Sequence, residues 1–226
     1  FCLRVSLMQR PSRKQKVKAS SRKSTNCLPQ KLRHRFFALR HGESKANVAK
    51  IIISDPKVGT KAYGLTAAGR RGATKAGKIF KNSAAKRVVM VTSDFCRARE
   101  TAQLFAKALR KAGRVCPLRI AKELRERRFG SLEAESDCRY PEVWAKDQVD
   151  CSARPFGVEA AEAVQRRTSK LVARLDREAP LGADVVLVSH GDALQILQTA
   201  FMGLSAKKHR TLPHLDRAEL RELQKR

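Results

Sequence analysis

No acidic residue occurs before Glu43, in a chain of 226 residues that carries 49 Lys and Arg against 21 Asp and Glu and a formal net charge of +28. The first 35 residues hold eleven of the cations. A segment with one sign of charge and few apolar groups cannot bury enough surface to offset the entropy of ordering it. Residues 1–34 therefore read as a basic disordered tail, and residues 35–226 as one globular domain. The tail is also Ser-rich, which is the composition of an organelle transit peptide; the alternative is a cytoplasmic protein whose arm binds nucleic acid. Outside the tail the positive charges are scattered along helices among alanines and read as solvated faces.

Long apolar runs are missing as well: nothing approaches the ~18 residues that a helical membrane span needs. The six cysteines, at 2, 27, 96, 116, 138 and 151, form no CxxC pair and no metal-ligand spacing. A domain of this size needs no disulfide staples, so they read as reduced thiols. His209 and His214 lie five apart in a Pro-containing loop without HExxH, and no zinc site is expected there. No cofactor is called for.

What the sequence does contain is an alternation. "RFFAL" and "RVVMVTS" read as strands, with the helix "LTAAGRRGATKAGKIF", capped by Thr66, between them. The helix "FCRARETAQLFAKALRKAG" places Phe95, Ala98, Ala102, Phe105 and Leu109 on one face and ends at Gly113. "PLRIAKEL" suggests a further strand, residues 131–156 an irregular polar excursion around Trp144, and "VEAAEAVQRRTSKLVARLDREA" a helix. "DVVLVSHG" reads as a strand, "ALQILQTAFMG" as a helix, and "RAELRELQKR" as either a short helix or an edge strand. Strands alternating with long helices imply parallel pairing, hence an α/β fold built as a three-layer α/β/α sandwich with a mostly parallel central sheet.

Three strands end in the same way: "FFAL" on Arg40 and His41, "VVMVTS" shortly before Arg97, "VVLVS" on His190. In a parallel sheet these ends share the carboxyl edge, where open α/β sheets hold ligands beside helix N-termini that attract anions. Taken singly, each histidine reads as a hydrogen-bonded core residue and each arginine as surface charge. Together, two arginines and two histidines at one edge make a compact cationic pocket suited to a phosphoryl group. Gly42 and Gly191, which follow the two histidines, read as positions where the backbone approaches a ligand.

"LRHGESKAN" resembles the RHG signature of the histidine phosphatase superfamily, the phosphoglycerate mutase-like fold. "SDFCRARETA" and "VSHG" resemble its second and third motifs in order and spacing, and "LRERRFG" its acid-bearing segment. The likeness covers about residues 35–224, and more closely resembles phosphoglycerate mutase family proteins of plants and algae, in agreement with a chloroplast tail. The resemblance implies that His41 is the nucleophile, forming a phosphohistidine without a metal, and that Arg40, Arg97 and His190 hold the phosphoryl oxygens. Asn47, Ser44 and Gly191 are implied as further phosphate contacts. Glu126 matches the proton donor, with Glu123 as its rival on the same segment. A carboxyl group donates near neutral pH only if its pKa is raised, so local burial has to outweigh the neighbouring arginines. Arg127 and Arg128 face either the rest of the substrate or solvent.

Two departures narrow the reaction. The Trp-containing segment that shapes the phosphoglycerate pocket of glycolytic mutases is replaced here by "VAKIIISDPKVGTKAYG", which counts against mutase activity. Asp192, after His190 and Gly191, occupies a position where smaller neutral residues are commoner, and either caps the helix beginning at Ala193 or repels some substrates. The expected function is a phosphohydrolase acting on a phosphorylated small molecule. The alternatives are a phosphoglycerate mutase-like isomerase, and a non-catalytic scaffold or nucleic-acid-binding protein using the same fold and basic tail.

Overall fold

The computed structural model describes residues 28–80 and 85–225; residues 1–27, on which the transit-peptide expectation rests, lie outside the described residues. From β1 (Arg35–Arg40) the chain runs through α1 (Lys45–Ala49) and the single turn α2 (Pro56–Gly59) into α3 (Ala67–Phe80) and β2 (Val88–Thr92). Then come α4 (Cys96–Lys111), the three-residue β3 (Leu118–Ile120), α5 (Tyr140–Val149), α6 (Ala161–Glu178), β4 (Asp184–Ser189), α7 (Gly191–Phe201) and β5 (Leu220–Leu223). The sheet order is β3-β2-β4-β1-β5. All pairings are parallel except β1 with β5, so the C-terminal segment is an antiparallel edge strand.

The two faces follow from the period of two along each strand. Phe36, Ala38, Val89, Val91, Val185 and Leu187 pack on one side against Leu171, Leu175, Leu194, Leu197 and Phe201 of α6 and α7. Phe37, Leu39, Met90, Val186 and Val188 pack on the other against Phe80, Ala98, Ala102, Phe105 and Leu109 of α3 and α4. Each Phe or Leu buried in this way contributes about 1.5–3 kcal/mol. The expected caps are present: Thr66 Oγ1 accepts the Gly69 N–H at 3.0 Å, and Gly113 sits at φ 74° after α4. Among the described residues no helix is long and apolar enough to cross a membrane.

Two expectations are corrected. The domain begins before residue 35: Leu28 and Leu32 pack on the α6/α7 core, and the Arg33 and His34 N–H groups donate to Asp176 Oδ1 at 2.8 and 3.2 Å. The excursion at 131–156 contains the helix α5. Its inward positions, Val143 and Asp147, are spaced for a helix, but one is a carboxylate. A charged residue on the buried face erases the apolar period from which a helix is read.

Asp147 is tolerated there because Arg127 meets it. Both side chains are fully buried, with Nη1 to Oδ2 at 2.6 Å and Nη2 to Oδ1 at 2.8 Å. Removing one member of such a pair strands a charge in a low-dielectric interior. Asp147→Ala should lower the unfolding free energy by about 3–5 kcal/mol in urea titration. A loss below about 1 kcal/mol, the scale of an exposed pair, would show that the pair is solvated.

Candidate active site

β1 and β4 run parallel in register, Arg40 beside Ser189, which brings the two strand-end histidines together. The His41 and His190 ring centroids lie 5.2 Å apart. His41 is 3% exposed. Its Nδ1 lies 2.7 Å from the Gly42 carbonyl oxygen, which only accepts, and its Nε2 lies 3.1 Å from Arg97 Nε, which only donates. Nδ1 must therefore carry the proton and Nε2 the lone pair. Burial, then Arg97 and Arg40, hold the imidazole well below the ordinary histidine pKa, so the ring remains the free base at neutral pH.

Arg97, in the first turn of α4, is 4% exposed and is anchored by Nη2 to the Ile53 carbonyl at 2.9 Å. The segment that departs from the glycolytic mutases thus orients a site arginine. Arg40 donates through Nη1 to Leu215 O at 2.8 Å and to His214 Nε2 at 2.7 Å. His190 Nε2 lies 3.0 Å from Ser93 Oγ. Its pKa too is well below the ordinary value, through burial first and then Arg97. Arg40 Nε, Arg97 Nη1 and His190 Nδ1 are all buried and without a hydrogen-bond partner. Buried polar atoms are ordinarily paired, and leaving one unpaired costs about 1–3 kcal/mol.

Glu126 lies on the same edge. Its Oε1 accepts the Arg127 N–H at 3.0 Å and the Ala193 N–H, in the first turn of α7, at 3.2 Å. Desolvation and then Asp192 raise its pKa above the ordinary carboxyl value, outweighing Arg97 and the two N–H groups, which pull it down. That is the condition a proton donor requires. Glu123 pairs instead with Arg174 of α6 at 2.8 Å.

The remaining expected residues divide. Ser44 is the N-cap of α1: its hydroxyl donates to Asn47 Oδ1 at 3.1 Å and accepts the Asn47 N–H at 3.3 Å. Its single proton is spent, which corrects the phosphate-contact reading. Asn47 uses Oδ1 in this capping box, so only its Nδ2 group could meet an oxygen. Gly42 is explained by helix packing, not by a ligand, since a Cβ there would meet Gly69 O at 2.5 Å. Gly191 likewise makes room for a side-chain pair: a Cβ would lie 3.0 Å from His214 and 3.2 Å from Arg40. Arg127 is fully buried and faces neither substrate nor solvent, whereas Arg128 is exposed. Asp192 lies inside α7, which starts at Gly191, and does not cap it. It accepts the Trp144 indole N–H at 2.9 Å and pairs with Arg127 at 3.3 Å, which ties α5 to the catalytic edge.

Ser93, Tyr140 and His214 were not among the expected site residues. Tyr140 stacks on Trp144 with centroids 5.4 Å apart, and Arg210 lies 3.7 Å over the Trp144 ring. Because Arg40 always donates, His214 Nε2 must accept; its pKa is lowered to about 4 by desolvation, Arg40 and Arg210. The other loop histidine, His209, is buried, with Nδ1 2.9 Å from the Ala206 carbonyl oxygen. Among the described residues no three His, Cys, Asp or Glu side chains are grouped as metal ligands.

An unprotonated, buried histidine ringed by cationic donors, with a protonatable carboxyl beside it, defines a phosphoryl-transfer enzyme of the phosphohydrolase type. The chain belongs to the histidine phosphatase superfamily (branch 1), whose family model matches residues 36–225. It is 31% identical over 182 residues to the probable phosphoglycerate mutase GpmB of Photorhabdus laumondii, covering 78% of each chain. It is 29% identical over 164 residues to a broad-specificity phosphatase of Saccharomyces cerevisiae, covering 72% of this chain and 68% of that one. Among solved structures, mycobacterial glucosyl-3-phosphoglycerate phosphatase in complex with VO3 superposes with a TM-score of 0.67 at 26% identity. That match covers 84% of this chain and 92% of the other.

Proposed function

We propose that the chain hydrolyses phosphomonoesters of small molecules in two displacements at His41. The observation that carries this reading is the set of three buried, unpartnered nitrogens, Arg40 Nε, Arg97 Nη1 and His190 Nδ1, on residues that adjoin the His41 ring. A phosphoryl group has three non-bridging oxygens to pair with them, His190 taking part in the tautomer whose Nδ1 carries the proton while Nε2 accepts from the Ser93 hydroxyl. In the first step the His41 Nε2 lone pair attacks phosphorus in line, the bond to the ester oxygen breaks, and Glu126 gives that oxygen its proton. In the second, the Glu126 carboxylate takes a proton from water as the water attacks phosphohistidine, and His41 leaves with the electron pair of the P–N bond. Charge shifts onto the non-bridging oxygens in both steps, and each fixed donor there supplies about 3 kcal/mol of transition-state stabilisation. The protein supplies every donor, so the scheme needs no metal.

Hydrolysis over isomerisation is supported by the similarity to a broad-specificity phosphatase and by residues 48–64, which replace the Trp-containing segment that shapes the phosphoglycerate pocket of mutases. A groove of about 520 Å³ beside Glu126, which Ser54, Arg125, Arg128 and Arg167 also line, offers cationic room for the rest of a substrate. The test is a panel of phosphorylated sugars, phosphorylated hydroxyacids and nitrophenyl phosphate assayed in chelator. Phosphate release from several members is the expected result. Rapid interconversion of 2- and 3-phosphoglycerate without phosphate release would assign a mutase instead.

A further inference from the structure

Between Asp55 and Glu123 the sequence holds seventeen Lys and Arg and two acids, Asp94 and Glu100. α3 and α4 run side by side through this stretch; α6 also carries like charges four apart, Arg166, Lys170 and Arg174, but there Glu162 and Glu123 meet two of the three. On α5, Arg139 at the N-cap meets Glu142 at 2.9 Å, and on α6 Arg166 meets Glu162 at 3.4 Å, the opposite-charge spacing that stabilises a solvated helix. On α3 and α4 the corresponding neighbours are alike: Arg71, Lys75 and Lys78 follow at i+4 and i+3, as do Lys107 and Lys111 at i+4. Such like-charge pairs are unfavourable on a helix surface. All five side chains are exposed, and none has an ion pair among the described residues.

These cations surround two adjoining grooves. One, of about 660 Å³, is lined by Thr74, Lys78, Leu104, Lys107, Ala108 and Lys111, and the other, of about 400 Å³, by Arg70, Arg71, Thr74, Lys75 and Lys78. Among the described residues neither groove is lined by an acid; Glu100, the one acid on the two helices, is paired with Arg70 at 2.7 Å near their catalytic ends. Lys78 and Lys111 lie at the far ends, away from His41.

We propose that this α3/α4 face binds the phosphate backbone of a nucleic-acid duplex. Two rows of unpaired cations flanking a groove complement a closely spaced line of phosphates. The aromatic residues of the two helices, Phe80 and Phe105, are buried, so none is offered for stacking an unpaired base, and recognition by backbone and shape follows.

The test compares three forms of the full chain: the native protein, the groove variant with Lys75, Lys78, Lys107 and Lys111 all changed to Gln, and a control with Lys170, Arg177, Lys207 and Lys208 changed to Gln. Binding of a mixed-sequence 25-base-pair duplex is followed by fluorescence anisotropy across salt. The native protein should bind with a steep salt dependence, and the groove variant should lose about 3 to 4 from the slope of log K against log salt, at ~0.9 per phosphate contact. The control should keep most of its slope. Equal loss in both variants would mean diffuse charge, no loss in the groove variant would move binding elsewhere in the chain, and either result overturns the proposal. So does groove-dependent binding of phosphatidylserine vesicles without duplex binding. Hydrolysis of nitrophenyl phosphate should be equal in all three forms, which checks folding and keeps this inference separate from the catalytic one.

Discussion

Changing His41 to alanine should lower the turnover of nitrophenyl phosphate by roughly 10⁴-fold or more, the scale on which losing a catalytic nucleophile acts. The acid-labile phosphoenzyme trapped from a labelled substrate should vanish with it. No other group is placed to replace Nε2: His190 directs its own Nε2 to Ser93. His41→Asn, which retains a polar side chain near Arg97 and Gly42, guards against a loss that merely reflects unfolding, with circular dichroism as the check. The acid limb of the pH profile is part of the same expectation. With the imidazole pKa well below its ordinary value, protonation of His41 should not reduce activity until the pH is well under 6.5. Full activity in both variants, or a phosphoenzyme that persists without His41, would end the nucleophile assignment.

The second large effect depends on the leaving group. An alkoxide leaves poorly without a proton and nitrophenolate leaves without one, so a general acid matters for the first and little for the second. Glu126→Gln should slow phosphoenzyme formation by about 10²-fold or more on an alkyl phosphate and far less on nitrophenyl phosphate. Single-turnover kinetics are required, because the same carboxylate acts as base in the second step. Its raised pKa sets the sign of the pH dependence. The carboxyl is protonated below that pKa, so the first step on the alkyl ester should be fast at low pH and decline as pH rises through it, while the aryl ester stays flat. Glu123→Gln, whose parent residue pairs with Arg174, should behave as the native enzyme. Equal losses on both esters would make Glu126 a binding or structural group.

Sequence alone showed the alternation of strands and helices and the shared carboxyl edge, and it singled out Arg40, His41, Arg97 and His190 at strand ends, with Glu126 added by the family resemblance. These were readable because period-2 and period-3.6 patterns are local, and because a strand end followed by a charged residue marks its own position. Only the tertiary structure decided the protonation of His41, since a tautomer depends on what the ring touches: the adjacent Gly42 carbonyl, and Arg97, fifty-six residues away. It also gave Ser44 to a helix cap, Gly42 to the packing of α3, and Arg127 to the buried pair with Asp147 that disguised α5. His214 shows the same limit from the other direction. Nothing in "LPHLD" marks it, because its part arises from the return of a loop 174 residues later to the guanidinium of Arg40. Local chemistry reads out of sequence, whereas a polar side chain's partner, and with it the proton it carries, is set by chain segments that meet only when the sheet closes.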